Sequence, residues 1–115
     1  MNKFTEVAKI EELKSGTMKA VIAEGREILL ARVGDKYYAT DNRCPHRKGD
    51  LSQGKLEGTV VTCPRHGSQF DISNGRVVHW LKGGLMSKVS RALKMSKDLT
   101  VYNVKIEDGK VLVEV

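Results

Sequence analysis

Both cysteines and two of the three histidines of this chain lie within one stretch, residues 44–66. They are spaced as Cys44-x-His46, sixteen intervening residues, and then Cys63-x-x-His66. Thiolate sulfur and imidazole nitrogen are typical protein ligands of zinc and iron. The two segments, CPHRKG and CPRHGS, are near copies that each offer one Cys and one His. The pattern therefore predicts a metal centre held between two loops.

Three interpretations of these four residues compete. A Cys44–Cys63 disulfide leaves both histidines unexplained and fits a reducing compartment poorly. A structural zinc site suits two Cys and two His, but the spacing differs from the C-x₂₋₄-C and H-x₃₋₅-H of common zinc fingers. A [2Fe–2S] centre with two Cys on one iron and two His on the other also fits. The ligand types alone leave all three open.

The stretch resembles the signature of the Rieske family, C-x-H…C-x-x-H-G, and the similarity runs over about residues 4–79 and 99–115. The flanking residues that agree are Leu51-Ser52, Gly54, Leu56-Glu57-Gly58, Phe70-Asp71 and Gly75-Arg76. The resemblance implies an all-β fold of small antiparallel sheets, with one [2Fe–2S] cluster at the tip of a two-loop subdomain over about 41–79. It also implies that Cys44 and Cys63 bind the inner iron, and that His46 and His66 bind the outer iron.

The resemblance further implies a low-potential ferredoxin without a loop disulfide. The high-potential branch of the family has an additional Cys in each loop, and this chain has Gly49 and Arg65 at those positions. It keeps Ser68 as a hydroxyl donor near the cluster but has Phe70 where that branch has a Tyr. Because fewer donors reach the sulfur atoms, we expect a potential in the lower half of the family range of roughly −150 to +300 mV.

The elements that must position these loops are predicted mainly from a period of two in apolar residues. The predicted strands are 4–10, 18–23, 26–33, 36–40, 56–62, 70–72, 76–80, 99–107 and 110–115. His79 and Trp80, in the strand over 76–80, are interpreted as ordinary strand or packing residues. A three- and four-residue apolar spacing predicts one short helix at about 85–95. The whole chain, 1–115, is predicted to be a single domain.

Composition limits the classes of function and compartment. The chain has 115 residues, a net charge of +6, no apolar run long enough to cross a membrane and no visible export signal. We therefore expect a cytoplasmic protein without membrane contact. The positive charge favours acidic protein partners, while the low aromatic content gives no support for specific nucleic-acid binding.

The chain departs from the family pattern at a basic insertion over about 80–98, which contains the predicted helix. The helix is expected to pack on the β core, with docking to a partner or to an anionic membrane as alternatives. Cations in the loops and the insertion are candidates for partner docking. They are Arg43, Arg47, Lys48, Arg65, Lys88, Arg91 and Lys94.

The predicted function is one-electron transfer with no catalytic residues of its own. By the resemblance, a flavin-dependent reductase is the donor, and an oxygenase or other oxidoreductase is the acceptor. Two alternatives are a zinc-stabilised interaction module and a cluster-based redox sensor. A coloured protein that bleaches on reduction would favour the carrier over the zinc module.

Overall fold

The computed structural model describes residues 3–44, 49–64, 67–79 and 98–115. Within these ranges the secondary structure is almost entirely β, and all strand pairs are antiparallel. The strands are β1 (Phe4–Lys9), β2 (Thr17–Ala23), β3 (Arg26–Val33), β4 (Lys36–Asp41), β5 (Lys55–Glu57), β6 (Val60–Thr62), β7 (Gln69–Asp71), β8 (Val77–His79), β9 (Val101–Tyr102), β10 (Val104–Glu107) and β11 (Lys110–Glu114). Single 3₁₀ turns occur at Ile10–Glu12 and Leu51–Gln53. The predicted all-β class is confirmed.

The strands form three small sheets with the orders β1-β11-β10, β2-β3-β4-β9 and β5-β6-β7-β8. The last sheet is built from a continuous part of the chain, and the two Cys/His loops are attached to it. The loop that begins at Cys44 precedes β5, and the loop that begins at Cys63 connects β6 to β7. Because β6 and β7 are paired neighbours, this second loop is the closing end of a hairpin.

Two apolar clusters fill the space between the sheets. One lies mainly between β1, β2, β3 and β11 and includes Ile28, Leu30 and Val111. The other joins β3 to the third sheet and contains both cysteines together with Leu29, Leu51 and Phe70. The cysteines are thus part of a packed core, and the free energy that comes from burying apolar surface also fixes where their sulfur atoms lie.

Most strand predictions are confirmed, and β3 has the predicted bounds of 26–33. The single strand predicted over 56–62 is wrong: Gly58, with φ of 61°, turns the chain between β5 and β6. The strand predicted over 99–107 is also divided. Its first part, β9, pairs with β4, and after Asn103 its second part, β10, pairs with β11, so the chain changes sheets there.

Residues that precede the basic insertion are bonded to residues at its end. The Leu99 amide donates to the Gly75 carbonyl at 2.7 Å, and the Val77 amide donates to Asp98 Oδ1 at 2.9 Å. Asp98 and Leu99 therefore lie beside the start of β8. Trp80 and the helix predicted at 85–95 lie outside the described residues. In the part of the chain that the structure describes, we find no helix with the length and apolar character to cross a membrane.

Candidate metal centre

The first Cys/His loop is closed at its base by three successive backbone links. The Cys44 amide donates to the Gly49 carbonyl at 2.9 Å, and Arg43 forms an isolated antiparallel bridge with Asp50. One step further out, the Leu51 amide donates to the Asn42 carbonyl at 2.8 Å. The ends of the loop are thus held together as a short two-stranded ladder.

A side-chain network reinforces this ladder. Asn42 is 0% exposed; its Nδ2 donates to Asp50 Oδ1 at 2.8 Å, and its Oδ1 accepts the Ser52 amide at 3.0 Å. The same oxygen of Asp50 accepts the Ser52 amide at 3.1 Å and the Ser52 hydroxyl at 2.5 Å. Donation from Ser52, followed by that from Asn42, holds the pKa of Asp50 below its usual value. Asp50 therefore remains ionised at neutral pH.

The first loop is also attached to β3 through Glu27. Arg43 donates to both carboxylate oxygens of Glu27, from Nε at 3.1 Å and from Nη2 at 3.0 Å. The Asn42 amide donates to the Glu27 carbonyl at 3.3 Å. The two-pronged bond to Glu27 raises the pKa of Arg43. Arg43, a candidate for partner docking, is thus engaged in an exposed ion pair with Glu27.

The second Cys/His loop has the same closure. The Cys63 amide donates to the Ser68 carbonyl at 2.8 Å, five residues on, as the Cys44 amide does to Gly49. The Gly67 amide donates back to the Cys63 carbonyl at 3.1 Å. Below the loop, Gln69 Nε2 donates to Thr62 Oγ1 at 3.1 Å across β6 and β7. The two loops differ in the number of residues between Cys and His, but the backbone closes each of them in the same way at its cysteine.

The two cysteines are buried in one apolar cluster, at 1% and 2% exposure, and neither forms a disulfide. Two buried sulfur donors from separate, well-supported loops fit the donor set that a two-loop metal centre needs. Gly49, Ser68 and Phe70, predicted to lie near the cluster, are all buried. The other predicted ligands and docking cations lie outside the described residues; these are His46, Arg47, Lys48, Arg65, His66, Lys88, Arg91 and Lys94.

Two turns of one sequence pattern support this region, and the sequence analysis did not recognise that they share it. They read DLSQG at 50–54 and DISNG at 71–75. In the second turn Asp71 Oδ1 accepts the Ser73 amide at 2.9 Å and the Ser73 hydroxyl at 2.6 Å, which lowers the pKa of Asp71. The second residues of the two turns, Leu51 and Ile72, are fully buried in the cysteine cluster. The repeated D-x-S-x-G pattern is visible in the sequence.

The glycine that ends each turn lies directly against backbone. A Cβ on Gly54 would collide with the carbonyl oxygen of Thr62, the residue before Cys63. A Cβ on Gly75 would collide with the carbonyl oxygen of Leu99. The first contact joins the turn that follows one loop to the residue that precedes Cys63, so the positions of the two loops depend on each other.

Comparisons with known proteins agree with this arrangement. The sequence profile of the Rieske [2Fe–2S] domain matches residues 3–84. The ferredoxin component of the naphthalene 1,2-dioxygenase system of Pseudomonas putida is 30% identical over 112 residues, covering 97% of this chain and 95% of that protein.

Solved structures give the same result. The ferredoxin of carbazole 1,9a-dioxygenase from Nocardioides aromaticivorans IC177 superposes with a TM-score of 0.80 at 26% identity, over 96% of each chain. A chain from a complex of reduced oxygenase and oxidized ferredoxin in carbazole 1,9a-dioxygenase gives 0.78 at 29% identity, over 95% of this chain and 99% of that one. The similarity thus extends over nearly the whole of these small proteins.

Proposed function

The chain belongs to the Rieske [2Fe–2S] domain family and is an electron carrier, and on this premise we propose that it delivers single electrons to a terminal oxygenase. The observation that carries the proposal is the pair of buried cysteines held by matching backbone bonds in two loops. Neither a substrate pocket nor a catalytic residue is needed for this role. We expect it to act in the cytoplasm.

The proposed ligands are Cys44 and Cys63 on one iron, and His46 and His66 on the other. The burial of both sulfur atoms and the position of each His two or three residues after its Cys support this assignment. When bound there, a Rieske cluster supplies a one-electron couple whose potential the two imidazoles raise above that of an all-thiolate cluster. The chain contains only two cysteines, so one copy cannot offer four thiolates.

The core around the cysteines controls the electrostatic cost of adding an electron. Leu51, Val61 and Phe70 are fully buried with the two thiols and exclude water from them. With two thiolates and two neutral imidazoles, the oxidised centre is neutral and the reduced centre carries one negative charge. Because an apolar environment disfavours added charge, this core lowers the potential. Ser68, also buried, supplies a hydroxyl that can offset part of this effect.

Charge distribution supports acidic partners. Residues 80–97 contain five of the twenty Lys and Arg of the chain and none of its fourteen Asp and Glu. The other ninety-seven residues hold fifteen cations against fourteen acids and are close to neutral, at +1. We propose that this segment and the loop cations Arg47, Lys48 and Arg65 attract an acidic oxygenase surface, and that a flavin-dependent reductase donates the electron.

A reductive titration tests the proposal. The purified protein is titrated with dithionite under anaerobic conditions and then mixed with the oxidised oxygenase component of a naphthalene 1,2-dioxygenase system. We expect a coloured protein that takes up one electron per chain and passes it to the oxygenase. A colourless protein loaded with zinc would contradict the proposal and favour an interaction module.

A further inference from the structure

We propose that the side chains of Asn42, Asp50 and Ser52 are a positioning device for the first ligand loop. The inference rests on the proposed function, because this loop contains the proposed ligands Cys44 and His46. In this role the three side chains touch neither iron nor sulfur. They fix the base of the loop, and through it the directions from which one sulfur and one nitrogen reach the cluster.

The hydrogen bonds of the network are directed across the base of the loop. Asn42 stands before Cys44, Asp50 follows Gly49, and their side chains meet at 2.8 Å. Asn42 is completely buried, and each end of its amide is used: Nδ2 by Asp50 and Oδ1 by the Ser52 amide. A buried amide has few other partners when one of its own is removed. Loss of the Asp50 carboxylate therefore disturbs Asn42 as well.

The backbone ladder transmits such a disturbance to the ligands. Its rungs are the Leu51–Asn42 bond, the Arg43–Asp50 bridge and the Cys44–Gly49 bond. The last rung joins Cys44, a proposed ligand, to the other end of its loop. A shift of Asp50 or Asn42 thus moves the ends of the six-residue loop from Cys44 to Gly49.

The second D-x-S-x-G turn is a natural control. Asp71 makes the same two bonds to Ser73 that Asp50 makes to Ser52. Its other side-chain partner, Thr59, lies before β6, at the opposite end of that strand from Cys63. Removal of Asp71 breaks the same hydrogen bonds within a turn, but it removes no hydrogen bond at the base of either loop.

The test compares matched variants of the cluster-loaded protein. Asp50→Ala is paired with Asp71→Ala, and Ser52→Ala with Ser73→Ala. For each, the release of iron to a chelator is followed by the loss of visible absorbance, and the reduction potential and Tm are measured. Because outer partners of metal ligands typically contribute 10–100-fold to metal retention, we expect Asp50→Ala to release iron at least about tenfold faster than Asp71→Ala. Asp50→Asn, which keeps an acceptor oxygen, should recover most of the retention.

Equal release rates and equal potentials within each pair would overturn the inference, whatever the Tm values. If Asp50→Ala does not yield folded protein, the same comparison of release rate and potential is made between Ser52→Ala and Ser73→Ala. Failure of the proposed function has a different signature, because the unmodified protein would then bind no [2Fe–2S] cluster. A wild-type protein that binds the cluster, together with indistinguishable variants, rejects the positioning role alone.

Discussion

Gly54 lies so close to the backbone carbonyl of Thr62 that no side chain fits between them. The contact links the turn after the first Cys/His loop to the residue before Cys63. Gly54 has a negative φ of −88°, so its requirement for glycine comes from space and not from backbone conformation. Both loops can therefore be disturbed by one added methyl group.

We predict that Gly54→Ala destabilises the fold by about 3 kcal/mol and weakens cluster retention, because β6 must move away from the first loop. Denaturant unfolding and iron content measure the two effects. Gly16→Ala is the control: Gly16 has φ of 82° but open space around it, so the change should cost about 1–2 kcal/mol of strain and leave iron content unchanged. Full iron retention in Gly54→Ala would contradict the proposed coupling of the loops.

A second prediction concerns the reduction potential. Phe70 is fully buried in the cluster that holds both cysteines, and its side chain has no hydroxyl group. Phe70→Tyr adds a hydroxyl donor there, and one such bond to the reduced state should raise the potential by about 20–60 mV. Voltammetry of both proteins measures the change. Phe4→Tyr, at the other Phe of the chain and in a different sheet, should leave the potential unchanged.

The position of the positive charge, and not only its amount, should control electron delivery. Lys88→Glu combined with Arg91→Glu reverses two charges of the insertion, and Lys19→Glu combined with Lys110→Glu reverses two on β2 and β11. Both variants change the net charge equally. At low salt we expect the first to slow electron transfer to the oxygenase about tenfold or more, and the second far less. Equal slowing would show that only net charge matters.

Tyr102 should contribute a late ionisation step and a modest part of the stability. Burial, together with a 2.6 Å bond to Asp41 Oδ1, raises the pKa of Tyr102. Its stabilising effect is therefore complete below the unfolded value of about 10 and is lost as pH rises through the higher folded value. Tyr102→Phe should cost about 1 kcal/mol at pH 8 and remove the step from a phenolate absorbance titration. A Tyr102→Phe titration identical to the wild-type curve would contradict this assignment.

The sequence was most informative where alternation is regular or where the ligand spacing is specific. β3 was predicted to the residue because its apolar run is bounded by Gly25 and Gly34. The turn at Gly58 was missed because Leu56 and Val60-Val61 read as one apolar strand. The change of sheet at Asn103 was missed because apolar and polar residues continue to alternate through it. This alternation does not indicate which strand is the neighbour.

The supports of the loops were harder to predict. The Arg43–Glu27 ion pair joins residues sixteen positions apart, and no local pattern marks it. Asn42 is buried and donates to Asp50, and its backbone is bonded to Glu27 of β3. This burial depends on tertiary packing that the local sequence does not indicate. By contrast, the repeated D-x-S-x-G turns could have been found, because both copies stand in the printed sequence.

Pulsed EPR of the dithionite-reduced protein tests the central claim most directly. A cluster held by Cys44, His46, Cys63 and His66 should show magnetic coupling to the nitrogens of two histidine ligands. Substitution of His46 or His66 should remove one of these couplings. A wild-type spectrum with coupling to fewer than two histidine nitrogens, or a protein without a paramagnetic reduced state, would contradict the claim.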